Sequence, residues 1–472
     1  MVFSSLPFWY AFFPLCMLCY FISPRIGWRN GVLIAFSLLF YAWGEPVYLF
    51  LMLATVTVNY GMARLIGKRK GTPTAKAALI VTAVFNLGAL GLFKYGGMFT
   101  DAFNALTGLH IPGPGLALPI GISFYTFQVF SYVIDVYRGE TEAQRSFPKL
   151  LLFVTLFHQL VAGPIVRYNH IAAEIDRRSA DAAAMWAGIE RFVAGLFKKA
   201  VLANICGSLA ATYLDPARLG SLAVLEAWFG IVMFALQIYF DFSAYSDMAI
   251  GMGHMIGFHY HENFNYPYTA RSVSEFWRRW HMSLGTFFRD YVYIPLGGNR
   301  RRMYLNLLIV WFLTGLWHGA SWNFVLWGLY FFVFIALEKL FLRRWLEKIP
   351  RALSHLYLVL VALFGWVFFY YTDLGEAMTF FARLFGVGAS GWTNPGFETT
   401  LLNNMFFIAL AVAACFPLVR PLKNICRNLE RRGLGAARTV FGLRCVSAAA
   451  LLFVSTVMLV GNSYNPFIYF RF

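Results

Sequence analysis

Four stretches of this otherwise apolar chain gather ionisable and hydroxyl side chains. Residues 118–138 (LPIGISFYTFQVFSYVIDVYR) carry Ser123, Tyr125, Gln128 and Asp135, and residues 157–167 (FHQLVAGPIVR) carry His158. Residues 237–253 (QIYFDFSAYSDMAIGMG) set Asp241 and Asp247 beside Tyr239, Ser243, Tyr245 and Ser246. The densest stretch is 266–290, YPYTARSVSEFWRRWHMSLGTFFRD. Read as a helix, it places Ser274, Trp277, His281 and Gly285 on one face at spacings of three or four. Glu275 and Arg279 then form an i, i+4 pair on another face, whose simplest reading is that it neutralises two charges in a poor solvent. His281, next to Arg278 and Arg279, should resist protonation, which suits a neutral hydrogen-bonding role.

A second histidine lies in LTGLWHGASWN. From Arg302 to His318 about sixteen residues of helix rise about 24 Å, short of the far face of a roughly 30 Å hydrocarbon core. His318 should therefore lie at membrane depth, and the missing side chains of Gly315 and Gly319 would let a substrate approach. A neutral imidazole in an apolar site is a good general base because its pKa can be tuned near the working pH. The alternative is a core histidine bonded to a neighbouring carbonyl. Ionisable groups within membrane segments mark function by default.

Other chemistries lack their signatures. There is no Walker A loop, G-x-S-x-G elbow or H-E-x-x-H motif. His254, His259, His261 and Glu262 resemble a metal cluster, but spacings of five and two do not put three ligands on one helical face. Cys16 and Cys19 form a lone C-x-x-C inside an apolar run, which reads as small packing residues. No metal and no bound cofactor is expected.

The elements that must position these residues belong to a membrane. Of 472 residues, 59% are hydrophobic, 19% aromatic and only 13% charged, about half the charge of a soluble protein. The net charge of +17 falls in short clusters between apolar runs, as in Arg300, Arg301 and Arg302. Cytoplasmic loops look like this, and no soluble stretch is long enough to build a nucleic-acid-binding face. Apolar runs centre on 8–22, 31–43, 47–63, 77–93, 224–240, 304–317, 322–338, 355–371, 401–419 and 440–461. The first has no basic residues before it and no cleavage site, so it reads as a retained span and not a signal peptide.

Basic loops at Arg25 and Arg29, at Arg64 to Lys76, at Lys339 to Arg351 and at Arg420 to Arg438 should lie inside, with both termini outside. Residues 94–300 must then cross an odd number of times. They contain runs broken by Pro119, Gly163, Pro164, Pro267 and Pro295, and an amphipathic stretch with Met185, Ile189, Phe192, Val193, Leu196 and Phe197 on one face. Broken helices at this depth are tolerated where protein or a cavity covers them. No internal repeat is visible. The expected organisation is one all-α domain over 1–472, with N-terminal spans in 1–93, a core in 94–345 and C-terminal spans in 346–472.

Taken together, LPIGISFYTFQ (118–128), AGPIVRY (162–168), GLFKKAVLAN (195–204), YFDFSAYSDMAIGMG (239–253), ENFNYPY (262–268), EFWRRWHMSL (275–284), RDYVYIPLGGNR (289–300) and LWHGASWNFVLWG (316–328) resemble the membrane-bound O-acyltransferase (MBOAT) family. The likeness is to its bacterial branch, which O-acetylates polysaccharides and peptidoglycan. It implies a polytopic all-α fold of roughly ten or more membrane helices with re-entrant and interfacial helices around a central tunnel. His318 becomes the catalytic histidine and His281 the second active-site histidine. Trp317, Asn323, Asp241, Ser243, Tyr245, Asp247, Glu275, Arg278 and Arg279 become tunnel or substrate-positioning candidates. The sequence departs from the branch at His259 and at His261, where proline is usual in FxFPENF.

The resemblance further implies acetyl transfer from a cytoplasmic donor, acetyl-CoA, across the bacterial cytoplasmic membrane. An extracytoplasmic, SGNH-like acetyltransferase partner would then modify a polysaccharide such as alginate, cellulose or peptidoglycan. Within the family the rival is D-alanyl transfer from a carrier protein to teichoic acid; outside it, a transporter, which the lack of an inverted repeat disfavours. The ending NSYNPFIYFRF spells F-x-Y-x-x-F at Phe467, Tyr469 and Phe472. It looks like the acyl-carrying tail of a partner in the related D-alanylation system, making Tyr469 a candidate relay. The competing reading is an aromatic interfacial anchor.

Overall fold

The computed structural model describes residues 2–160 and 163–461. Among them there is no β-strand. Eight helices are long and apolar enough to cross a membrane: Tyr48–Lys68, Pro73–Thr107, Ala182–Tyr213, Val224–Ile256, Trp322–Leu346, Arg351–Tyr370, Pro395–Ala414 and Leu434–Gly461. Two shorter apolar helices, Phe8–Phe21 and Met303–His318, join them, as does Ile26–Gly44. All ten apolar runs seen in the sequence thus centre on helices, and the chain is a polytopic, all-helical membrane protein. The stretch read as merely amphipathic around residues 185–197 belongs to the 32-residue helix Ala182–Tyr213. Its continuation was hidden because Lys198 and Lys199 interrupt the apolar pattern.

Helix ends follow local chemistry. Thr72, Asp373 and Asn394 accept from the backbone N–H groups of Ala75, Glu376 and Phe397 at 3.4, 2.9 and 2.9 Å, satisfying donors that have no intrahelical partner. Pro73 and Pro395 occupy first turns, where a missing N–H costs nothing.

The described residues form two compact units, one of residues up to Phe192 with Tyr245–Glu262, the other of Val193–Ala244 with Asn263 onward. In the first, Asn59 and Asn86 exchange side-chain amide hydrogen bonds of 3.0 and 2.9 Å between two spans. Arg191 there grips Asp247 at 2.9 Å and Glu262 at 2.6 Å. Such bonds hold helices together where lipid offers no hydrophobic drive.

In the second unit, Met303–His318 and Trp322–Leu346, labelled α1 and α2 here, form a hairpin packed backbone against backbone. A Cβ on Gly328 would strike the Trp311 carbonyl and approach Gly315 Cα to 3.2 Å; one on Gly315 would strike the Phe324 carbonyl. Small residues permit this approach. Gly328→Val should therefore destabilise the hairpin by about 1–3 kcal/mol, lowering the thermal unfolding midpoint of the detergent-purified protein. An unchanged midpoint would show that the helices need not pack this closely.

Candidate active site

The hairpin brings His318 to the end of α1. Its imidazole is buried in an aromatic box, with ring centres 5.0 Å from Trp317, 4.8 Å from Trp327 and 5.3 Å from Phe369. The flanking glycines do not hold space for a substrate, as the sequence suggested. A Cβ at Gly319 would collide with the Phe324 ring, and Gly315 is covered by the Phe324 backbone. Both are packing glycines.

His281 also departs from expectation. The helix from Val273 stops at Trp277 and a new one begins at Met282, with His281 between them at φ 42°, ψ 54°. Ser274, Trp277, His281 and Gly285 therefore do not share one helical face. The cause is a competing set of partners on Asn263. Its carbonyl accepts from Met282 N–H at 2.9 Å. Its Oδ1 accepts from Ser283 Oγ at 2.9 Å and from Ser283 N–H at 3.2 Å. A left-handed non-glycine residue costs of order 1–3 kcal/mol and persists where its surroundings over-determine it.

The same contacts set the tautomer of His281. Asn263 Oδ1 is fixed as an acceptor by the Ser283 amide, so His281 Nδ1, 3.2 Å away, donates to it. Nε2 then carries the lone pair, is buried, and meets no hydrogen-bond partner among the described residues. The ring stands 4.6 Å from Phe242 and 5.6 Å from Trp317. Trp317 thus touches both histidines. Burial pushes the His281 imidazole down to about 3; the neutrality expected from its sequence comes from desolvation and not from the neighbouring arginines. Arg278 is exposed, and Arg279 is held by Glu275 at 2.5 Å and Thr269 at 2.9 Å.

Beyond the two rings, Trp277 lies 5.4 Å from Trp327 and 5.0 Å from Trp311. Trp277 Nε1, Trp327 Nε1 and Asn323 Oδ1, like His281 Nε2, are buried polar atoms without a hydrogen-bond partner among the described residues. Leaving one such group unsatisfied costs roughly 1–3 kcal/mol, a cost that a bound polar ligand would offset. Asn323 itself is anchored by donating to the Phe368 carbonyl at 2.9 Å.

The remaining candidates have other engagements. Asp241 pairs with Lys199 at 2.7 Å, both almost wholly buried, in a pair half-visible in the sequence as the motif around Lys198 and Lys199. Ser243 makes a local 3.5 Å bond to the Phe240 carbonyl. In the first unit, Tyr245 stacks on Phe3 at 5.6 Å and Asp247 is held by Arg191. Also there, His158 bonds Tyr260 at 2.8 Å and His259 bonds Glu174 at 2.8 Å. Tyr469 lies outside the described residues. The sequence does not single out Asn263, Trp327 or Phe369 as site residues, and it marks Trp277 only as sharing a helical face with His281. Asn263 was in view inside ENFNYPY, but its role depends on a chain reversal that spacing cannot reveal.

The two buried histidines of this helical membrane chain thus share one tryptophan, Trp317. The membrane-bound O-acyltransferase family matches residues 7–382, and the chain belongs to that family: it is a membrane-bound O-acyltransferase. It is 36% identical to the probable alginate O-acetylase AlgI of Azotobacter vinelandii over 505 aligned residues, covering 100% of both chains. It is 29% identical to the peptidoglycan O-acetyltransferase of Helicobacter pylori, over 100% of this chain and 98% of that one. The teichoic acid D-alanyltransferase of Bacillus subtilis is 26% identical over 51% of this chain and 63% of its own length.

A pH dependence follows from the buried ring. Its folded value, about 3, lies below the 6.5 of an ordinary histidine, so the unfolded chain binds the extra proton. The contribution of His281 is fully present above 6.5 and is lost as pH falls toward 3. Acidification from pH 7 to 5 should thus lower the unfolding midpoint of the native protein more than that of His281→Gln. Parallel declines would show that the ring is not held neutral.

Proposed function

We propose that this enzyme takes acetyl from acetyl-CoA on the cytoplasmic side and delivers it across the bacterial cytoplasmic membrane for O-acetylation of a polysaccharide. The observation that carries this is the site itself: two buried imidazoles sharing Trp317, with His281 Nε2, Trp277 Nε1 and Trp327 Nε1 buried and without a hydrogen-bond partner among the described residues. Full-length likeness to an alginate O-acetylase and a peptidoglycan O-acetyltransferase supports acetyl over D-alanyl, since the D-alanyltransferase likeness covers only 51% of the chain.

His318 acts as the base. It removes the proton from the acceptor hydroxyl as that oxygen attacks the thioester carbonyl; the C–O bond forms and the C–S bond breaks. The thiolate takes the proton back from His318, so the site returns to its starting state. His281, whose Nε2 accepts, orients the acceptor hydroxyl. Basic loops such as Lys339–Arg351 face the cytoplasm and meet the donor's phosphates, with both termini outside.

The acceptor in this scheme is the phenol of Tyr469. A phenol of pKa near 10 leaves more easily than a sugar hydroxyl, so its ester stays activated for the next transfer. An extracytoplasmic SGNH-like acetyltransferase then carries the group to the polymer.

Two tests follow. His318→Ala should reduce polymer acetyl content in cells by at least about a hundred-fold, the usual contribution of a general base, with protein level unchanged; native acetylation would refute His318 as the base. After incubation with acetyl-CoA, the C-terminal peptide should gain one acetyl mass, absent in Tyr469→Phe and in His318→Ala. An unmodified tail under active turnover would remove the relay.

A further inference from the structure

Between the last two spans, Pro395–Ala414 and Leu434–Gly461, lies a twelve-residue helix, Val419–Glu430 (α3), of sequence VRPLKNICRNLE. Its two faces are chemically opposed. Val419, Leu422, Ile425, Cys426 and Leu429 recur at helical spacing on one side; Arg420, Lys423 and Arg427 fall on the other, and Arg431 follows. The apolar side is not buried: Val419, Leu422 and Ile425 are 54%, 59% and 54% exposed. The helix is fastened at both ends. Glu430 accepts from Arg444 of the final span at 3.4 Å. At the other end Arg420 donates to Asn265 Oδ1 at 2.8 Å and lies over the Tyr266 ring at 5.2 Å.

That second anchor leads to the active site. Tyr266 is itself left-handed at φ 48°, and the Asn265 N–H donates to the Arg279 carbonyl at 2.9 Å. Two residues earlier, Asn263 holds His281 by its side chain and Met282 by its carbonyl. One short loop is thus gripped by Arg420 on one side and grips His281 on the other.

We propose that α3 lies in the membrane surface as a docking site for anionic lipid headgroups, and that through Arg420 its seating orders the loop that positions His281. An exposed apolar stripe beside a basic face is the pattern of an in-plane membrane helix. The neighbouring spans carry the same exposure, with Phe406 83% and Phe453 69% exposed, so the apolar stripe continues a lipid-facing surface. A soluble phosphate-bearing donor would satisfy the arginines but leave that stripe uncovered. Each basic residue near an anionic surface strengthens binding by roughly five-fold. The catalytic consequence rests on the acetyl-transfer reading above; the lipid site and its coupling to the loop do not.

The test uses the full chain in vesicles of phosphatidylcholine, with or without phosphatidylglycerol. Lipid retained on purification, amide hydrogen exchange at Asn265 and Met282, and acetyl-CoA turnover are measured in each. The native protein should retain phosphatidylglycerol, less so at high salt, and that lipid should slow exchange at both amides. The triple variant K423Q/R427Q/R431Q should bind it about ten-fold or more weakly, whereas R427K/R431K should bind as the native protein does. R420Q should retain the lipid but lose its effect on exchange. Equal retention by native and triple variants overturns the lipid site and leaves a protein partner as the occupant. Exchange in R420Q that responds as in the native protein overturns the coupling. If both lipid effects are seen without turnover in any membrane, the lipid site stands and acetyl transfer is refuted.

Discussion

The hydrogen bond between Asn263 and His281 is the interaction on which the rest of the site depends. It joins a loop to a chain reversal, decides which ring nitrogen carries the proton, and holds a histidine in a backbone conformation that would otherwise relax. In an apolar medium every polar group must find its partner in the chain or in a ligand. Asn263 satisfies Ser283 and one side of His281, and Nε2 is left without a hydrogen-bond partner among the described residues.

The wider architecture serves that requirement. The glycine-tight hairpin of α1 and α2 delivers His318 and Trp317 from one helix and Trp327 from the other. Glu338 of the same span accepts from Val273 and Ser274 N–H at 2.6 and 2.8 Å, fixing the start of the short helix whose end carries Trp277. Two pairs of charges within the spans are matched: Lys199 with Asp241, and Arg191 with Asp247. Removing one member of a buried pair is costly, so these residues set helix positions.

Much of the fold was legible because hydropathy over some twenty residues is a strong signal; every apolar run centres on a helix. Ala182–Tyr213 was underestimated because Lys199 looks like an interruption until its carboxylate is found on another helix. For the candidate site, the sequence offers residues and not geometry. His281 and His318 stood out for being ionisable in an apolar chain, yet the helix drawn through His281 is broken there. Glycines beside His318 looked like room for a substrate and proved to be room for Phe324. Asn263 carries no charge and sits among ordinary loop residues, so nothing local announced that its amide would organise a histidine eighteen positions away in sequence.

The central claim is that His318 moves the proton that releases the thiol of acetyl-CoA. Thiol release by the purified chain in vesicles, with His318→Gly supplied with free imidazole, tests it most directly. The native enzyme should release thiol; the variant should not, and imidazole should restore part of the rate. Release at the native rate by His318→Gly without imidazole would contradict the claim.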